Sequence, residues 1–177
     1  VIIKNIASVI MPIGIDHKDF LKKGTIDEIV YEKCSHLPQG SKIFVSEQEN
    51  EILKKVKDNI SNNSSEKFFF NRNYSYKKKN SGFVYKDKFG KINLPLPNLS
   101  GDFQISNVST AISVARSLDQ FKIEDSHIRK SIVKIKSEGR LQNISKGKLR
   151  KYVSNNNQIL VDGAHNPLAA LAIKKYL

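Results

Sequence analysis

Cysteine, methionine and tryptophan are nearly absent from this chain: its 177 residues include one cysteine, one methionine and no tryptophan. A single cysteine, Cys34, excludes an internal disulfide and a thiolate zinc site, and it fits a reducing, cytoplasmic compartment. No apolar run approaches the ~18 residues of a membrane span, so we expect no membrane partner. The first residues also lack the basic segment and cleavage site of a signal peptide.

Arginine is scarce in an otherwise basic chain. Five of the 30 basic residues are arginine, although the formal net charge is +13. Arginine is the usual contact for phosphates and base edges, so we expect no nucleic-acid partner. The many Lys, Asn and Ile residues have AT-rich codons, and this bias accounts for the charge. A polyanionic small-molecule substrate would also suit a basic surface.

An initiator methionine and a phosphate-binding loop are missing as well. The chain starts within a predicted strand and stops within a predicted helix, so we expect an internal piece of a longer protein. Hydrophobic residues make up 39% of it and charged residues 27%, which is typical of globular domains.

The first 60 residues alternate between strand and helix patterns. Strands are predicted at 5–14 and 41–46, and helices at 25–36 and 47–60. Thr25 has a glutamate three residues later, the spacing of a capping box. This alternation favours an α/β fold with a parallel sheet.

The rest of the chain is predicted to contain short strands, two helices and a second unit. The strands lie within 67–99, with a turn at 87–90, and the helices at about 105–118 and 124–136. Two more strands, at 149–153 and 158–162, then lead into a last helix. Glycine and serine residues at 137–146 mark a domain boundary.

Asp16 and His17 follow the first strand, where ligands bind in open α/β sheets. A histidine there could ligate a metal, act as an acid or base, or pack a loop.

Lys33 is predicted to lie on the buried stripe of the first helix, because Ile26, Ile29 and Val30 precede it at helical spacing. Burial would favour the neutral amine, which can react with carbon dioxide to give a metal-binding carbamate. The alternative is an ordinary lysine that reaches solvent or pairs with a glutamate.

Asn107 and Arg140 are further candidates. Asn107 stands at the start of a helix, where its amide could pair with an adenine edge. The alternative is an ordinary asparagine at a helix terminus. Arg140 lies in a glycine-containing loop and could bind a phosphate.

The stretch 162–167 reads Asp-Gly-Ala-His-Asn-Pro. Asn166 and Pro167 suit a helix start, which directs a positive helix end at a ligand. Asp162 could accept bonds from ribose hydroxyls, and His165 could contact charge beside the phosphates. A plain strand-to-helix turn explains Asn166 and Pro167 but not Asp162 together with His165.

In chain order, several segments resemble the folylpolyglutamate synthase / dihydrofolate synthase family of the Mur ligase superfamily. They are SVIMPIGIDHKDFL, GTIDEIVYEK, LPLPNLSGDFQISNVSTAI, GRLQ and ILVDGAHNP. DGAHNP after Gly-x-Phe-Gln-x-x-Asn indicates the folate branch rather than the cell-wall ligases. The resemblance implies an α/β fold. Residues 1–140 would be the C-terminal part of a P-loop-type central domain, and 141–177 the start of a Rossmann-like C-terminal domain.

The resemblance implies roles in the predicted central domain. His17 would be a magnesium ligand, Lys33 the lysine that is carbamylated, and Asn107 the contact for adenine.

At the interdomain side, the resemblance implies that Arg140 contacts the ATP phosphates and Asp162 the ribose. His165 would lie at the glutamate and acyl-phosphate end. Domain closure would bring Asp162 and His165 onto the nucleotide.

The implied reaction is ATP-dependent addition of L-glutamate to a folate or dihydropteroate carboxylate through an acyl phosphate. Mg²⁺, and a monovalent cation, would accompany ATP, and the enzyme would be a cytoplasmic monomer. Without a phosphate loop, this chain alone would be inactive. Two alternatives stay open: another Mur-type amino-acid ligase, and a basic binding module without enzymatic activity.

Overall fold

A parallel sheet forms the first part of the molecule. The structure, a computed structural model, describes residues 5–16 and 21–177. Its sheet has the strand order β1-β2-β3, and helices α1 and α2 connect successive strands, as the alternating pattern predicts. The bounds are β1 (Ala7–Ile10), α1 (Ile26–Ser35), β2 (Lys42–Val45), α2 (Asn50–Asn59) and β3 (Glu66–Phe69).

Both faces of the central strand, β2, are covered. Ile43 and Val45 of β2 are fully buried in an aliphatic core with α1 and α2. Phe44 points the other way, because successive strand side chains alternate, and it stacks on Phe68 with 4.6 Å between the ring centres. A run of apolar residues without polar alternation is therefore what this strand requires.

Three antiparallel strands follow and build a second core. They are β4 (Ser75–Lys79), β5 (Gly82–Asp87) and β6 (Gly90–Leu94). The predicted turn between Asp87 and Gly90 is confirmed: Asp87 Oδ1 accepts from the Phe89 N–H at 2.8 Å, and Gly90 has a positive φ of 117°.

Tyr74 joins the two cores. Its hydroxyl donates to the Val45 carbonyl at 3.0 Å and lies 3.1 Å from Thr110 Oγ1. Burial raises the pKa of Tyr74 to about 12, so the hydroxyl keeps its proton and remains a donor at neutral pH. The parallel and antiparallel sheets are thus tied by a buried hydrogen bond.

Two helices follow, as predicted, and they pack on the antiparallel strands. They are α3 (Phe103–Ser117) and α4 (Asp125–Ile132), which contribute Ile105, Ile112 and Ile128 to the second core. No helix in the described part of the chain has the length and apolar character needed to cross a membrane.

The last part is small and open. It consists of a two-stranded antiparallel pair, a short 3-10 helix and a final helix: β7 (Gln142–Asn143), the 3-10 helix (Lys148–Tyr152), β8 (Leu160–Val161) and α5 (Pro167–Tyr176). Residues 142–143 pair with β8, so the prediction of a strand at 149–153 is wrong. The Arg150 guanidinium donates to the carbonyls of Asn157 and Ser154, which folds this segment back on itself.

Candidate functional site

A cleft of about 460 Å³ opens where β1 ends. Its walls come from the loop after β1, from α1 and from the first turn of α5. The charged and polar members of this lining are Asp16, Glu32, Lys33 and Asn166. The carboxyl ends of β1, β2 and β3 meet at one edge, as they do at ligand sites of open parallel sheets.

Lys33 lies in the cleft wall, but its side chain is exposed. The prediction that it lies on the buried stripe of α1 is therefore wrong. The buried residues of α1 are Ile29, Val30 and Cys34. Although Lys33 shares their side of the helix, the cleft opens beside it and solvent reaches it. Its predicted carbamylation thus has no support from burial.

The loop after β1 leads to His17, which lies outside the described residues. Two hydrogen bonds from Gln48 hold the start of this loop: Oε1 accepts from the Ile13 N–H at 2.9 Å, and Nε2 donates to the Met11 carbonyl at 2.9 Å. A half-buried glutamine thus satisfies backbone groups that the end of β1 leaves unpaired.

Glu28 fixes the far end of the same loop. Thr25 caps α1 as predicted, accepting from the Glu28 N–H at 3.3 Å. The Glu28 carboxylate accepts from the backbone N–H groups of Lys22, Lys23 and Gly24 at 2.8, 2.8 and 3.0 Å. The hydrogen bond from Lys23 is the largest cause of a lowered Glu28 pKa. Glu28 therefore stabilises three loop residues rather than closing the expected capping box.

The segment from β8 to α5 is held by its own polar residues. Asp162 accepts from the Leu141 N–H and from the Ala164 N–H, both at 2.7 Å. His165 Nδ1 lies 2.8 Å from the Gly163 carbonyl, which can only accept, so Nδ1 carries the hydrogen. Asp162 thus shapes the turn, and each carboxylate oxygen still has a second lone pair for a ligand.

Asn166 connects this turn to the cleft. Its Oδ1 accepts from the Ala169 N–H at 2.8 Å, the predicted cap of α5, and Pro167 is the first helical residue. Its Nδ2 donates to Asp16 Oδ2 at 2.8 Å. His165 Nε2 lies 3.6 Å from the same oxygen. The loop after β1 and the turn before α5 therefore meet at Asp16.

Arg140 lies beside the same turn, whereas Asn107 lies on α3 and contacts its own helix. A Cβ built on Gly163 would lie 3.9 Å from Arg140 Nη1, so the exposed guanidinium stands beside the 162–165 turn. A Cβ built on Gly101, just before α3, would lie 3.1 Å from Leu141 Cδ1. Asn107, one turn into α3, is half-buried and donates to Gln104 Oε1 at 3.0 Å.

Sequence reasoning missed the pairing of Asp16 with Asn166 and the role of Gln48. The first pair is separated by 150 positions, and no sequence pattern links them. The sequence marks Asp16 only as the neighbour of His17. Across residues 5–16 and 21–177, no group of three or more His, Cys, Asp or Glu side chains could hold a metal ion.

Comparison with known sequences finds distant relatives that are named for related activities. A scan against protein-family models finds no match. The chain is 27% identical over 173 residues to the dihydrofolate synthetase of Saccharomyces cerevisiae, covering 95% of this chain and 39% of that protein. It is 26% identical over 175 residues to the folylpolyglutamate synthase of Lacticaseibacillus casei, covering 94% and 38%. It therefore spans about 40% of the length of these relatives.

Solved structures show the same likeness. An FPGS–AMPPCP–folate complex superposes with a TM-score of 0.82 at 24% identity, covering 97% of this chain and 41% of that one. E. coli FolC in complex with DHPP and ADP gives 0.77 at 24% identity, covering 96% and 37%. The predicted α/β class, part of the Mur ligase fold, is confirmed, as is the resemblance to folylpolyglutamate and dihydrofolate synthases.

Proposed function

We propose that this chain is part of an ATP-dependent ligase that adds L-glutamate to a folate or dihydropteroate carboxylate. One observation carries the proposal: the turn of Asp162 and His165 meets the loop after β1 at a cleft whose wall includes Lys33. Residues that the sequence separates by more than a hundred positions, such as Lys33 and Asn166, thus line one cleft.

The relatives support the substrate class. Those compared in sequence are named for dihydrofolate and folylpolyglutamate synthesis, and the matched structures carry AMPPCP with folate and ADP with DHPP. The chain covers about 40% of these proteins, so the activity proposed is that of the protein expressed from the complete coding sequence.

The nucleotide would lie along the Arg140 and Asp162 side of the turn. The Arg140 guanidinium is exposed and offers the paired donors that suit phosphate oxygens. Asp162 would accept from the ribose hydroxyls through its remaining lone pairs. Asn107 would contact adenine with its amide, which requires that its side chain turn from Gln104 toward the base.

We expect magnesium to bind at this cleft as an ion shared with substrate. Mg²⁺ in nucleotide enzymes takes one or two protein ligands together with phosphate oxygens and water, so a cluster of three protein ligands is not required. His17 and a carbamate on Lys33 would hold it. When bound, the ion would neutralise charge on the phosphates.

The reaction would proceed in two steps, formation of an acyl phosphate and then of the amide. A carboxylate oxygen of the folate or dihydropteroate attacks the γ-phosphorus of ATP, releasing ADP and forming an acyl phosphate. The neutral amine of glutamate then attacks the acyl carbon, phosphate leaves with the carboxylate oxygen, and the amine loses a proton. His165, beside the turn, would orient glutamate and stabilise charge at the acyl phosphate.

The test is ATP-dependent incorporation of labelled glutamate by the protein expressed from its complete coding sequence. Dihydropteroate, folate and tetrahydrofolate are supplied in turn, with UDP-muramyl peptides as the competing class of acceptor. We expect labelled amide product with a pteridine acceptor only. Incorporation into a muramyl peptide would assign another Mur-type activity, and no incorporation into any acceptor would contradict the ligase proposal.

A further inference from the structure

We propose that Asp16 is a positioning residue that fixes the turn carrying His165 and Asn166 over the cleft. Asp16 belongs to the loop after β1, whereas the turn belongs to the segment that begins α5. The contact itself is a property of the fold. Its consequence for turnover rests on the ligase function proposed above.

The Asn166 amide is suited to this contact because its two ends have separate partners. Oδ1 caps α5 by accepting from the Ala169 N–H, and Nδ2 is thereby turned outward, toward Asp16 Oδ2. The orientation of the amide is fixed by its hydrogen bonds, since only the nitrogen can donate to a carboxylate. A cap alone could be made about as well by serine or aspartate, and somewhat less well by threonine. None of these supplies a donor that reaches Asp16 in the same way.

Asp16 is held in place by its own loop. Gln48 bonds the backbone at Met11 and Ile13, and Gly14 packs directly on α5. A Cβ built on Gly14 would lie 2.9 Å from Leu168 Cβ, closer than real contacts allow. The backbone of the loop therefore touches the first turn of α5 beside the polar pair. Close packing and a charge-assisted hydrogen bond act at the same place.

His165 is oriented by the same carboxylate. Its Nδ1 donates to the Gly163 carbonyl, which directs Nε2 toward Asp16 Oδ2 at 3.6 Å. The Asp16 side chain is 28% exposed and that of His165 63% exposed, so this pair is accessible to solvent and to a ligand. Movement of Asp16 would displace the ring as well as Asn166. The carboxylate thus sets the position of both residues relative to Lys33.

The test is a swap of the two hydrogen-bonding groups in the protein expressed from its complete coding sequence. Asn166→Asp keeps the helix cap but places two carboxylates against each other. Adding Asp16→Asn restores the bond with its direction reversed, because the new amide at position 16 can donate to the new carboxylate at position 166. Asn166→Ser is the matched control, since serine caps the helix but is too short to reach Asp16.

Two measurements separate positioning from folding and from the ligase proposal. Amide hydrogen exchange over 11–16 and 163–170 reports the contact without any substrate. The value of kcat for glutamate incorporation reports its consequence. We expect both single changes at Asn166 to speed exchange and to lower kcat roughly tenfold, the loss typical of a hydrogen bond to a charged group. The double variant should return to within about threefold of the wild-type protein.

The outcomes are distinct. Wild-type exchange and turnover in Asn166→Ser would mean that Asn166 acts only as a cap, and a double variant no better than Asn166→Asp would show that Asp16 acts otherwise than through this bond. Either result would overturn the proposal. A wild-type protein without ligase activity would contradict the proposed function alone, because the exchange measurement still decides whether the contact positions the turn.

Discussion

Residues before 141 and residues 141–177 are stabilised by different kinds of interaction. The described residues up to 140 contain two buried hydrophobic clusters, and within the described parts of the chain Leu141 is the one buried residue beyond that point. Helix α5 has no buried side chain, although Leu171 and its other apolar residues form much of its surface. The last segment is located instead by polar contacts at Asp162 and Asn166.

This difference indicates how the site can work. A tightly packed region resists displacement, because its interactions are many and depend on close fit. A segment located by a few hydrogen bonds can shift by breaking those few. The predicted division at 140/141 would then place the movable residues, Asp162 and His165, on one side of the cleft and Lys33 on the other. Substitutions in either region, or at the contact between the two regions, should therefore have different effects on turnover and stability.

The largest expected effect is a loss of turnover, and we expect it from Lys33 in the cleft wall of the first region. Lys33→Ala should lower kcat by about 100-fold or more, because a group that stabilises transferring phosphate would be lost. Unfolding should be unchanged, since the Lys33 side chain is exposed. Steady-state glutamate incorporation measures kcat, and urea unfolding measures the stability.

Lys54→Ala, which removes an exposed lysine from α2, is the control and should leave turnover unaltered. Unaltered turnover in Lys33→Ala would remove Lys33 from the site.

Stability should separate the regions next. Ile43→Ala removes a fully buried side chain from the first core and should lower the free energy of unfolding by about 2–5 kcal/mol. Leu171→Ala removes a side chain that is 54% exposed on α5 and should cost no more than about 0.5 kcal/mol. Urea unfolding of the 177-residue chain gives both values. Equal losses would contradict the contrast between the two regions.

The contact between the regions can be strained by one methyl group. Gly14→Ala should place its Cβ against Leu168 and weaken the junction by about 1–2 kcal/mol. Exchange should then rise over 163–170 while the parallel sheet stays protected. Adding Leu168→Ala removes the Cγ and Cδ2 contacts but keeps the Leu168 Cβ at 2.9 Å, so it should reverse the change only in part. A Gly14→Ala protein with the exchange of the wild type would show that the two segments are not in close contact.

The smallest expected effect is a pH dependence of stability. It comes from Glu28 and the loop before α1. The Glu28 carboxylate has a lowered pKa in the folded chain because it accepts three backbone hydrogen bonds. Its stabilising contribution should therefore be complete above its ordinary pKa of ~4.3 and should be lost as the pH falls through the lower folded value.

Thermal unfolding of wild type and Glu28→Gln between about pH 3 and pH 7 tests this expectation. The gap between the two melting temperatures should be constant above about pH 5 and should narrow on acidification. A gap that widens in acid would reverse the sign and contradict this assignment.

Much of the secondary structure could be predicted because the patterns that specify it are local. Alternating strands and helices indicated the parallel sheet, Thr25 indicated the start of α1, and Asn166 with Pro167 indicated the start of α5. Each of these features depends on neighbours within about one helical turn, where sequence spacing is informative.

The remaining features depend on distant parts of the chain. Helical spacing placed Lys33 on the same side of α1 as its buried residues, but it could not show that a cleft opens beside Lys33 and exposes it. Residues 149–153 have a strand-like composition, but the carbonyls that Arg150 binds favour a turn. The pairing of Asp16 with Asn166 arises only when the chain folds. The roles of His17, Asn107 and Arg140 remain predictions.

The most direct test of the ligase account follows one oxygen atom. The protein expressed from its complete coding sequence is supplied with ATP, glutamate and a folate or dihydropteroate whose carboxylate carries oxygen-18. An acyl-phosphate route transfers one labelled oxygen to each phosphate released, and this account predicts that phosphate mass spectrum. Unlabelled phosphate formed together with the amide product would contradict the acyl-phosphate mechanism.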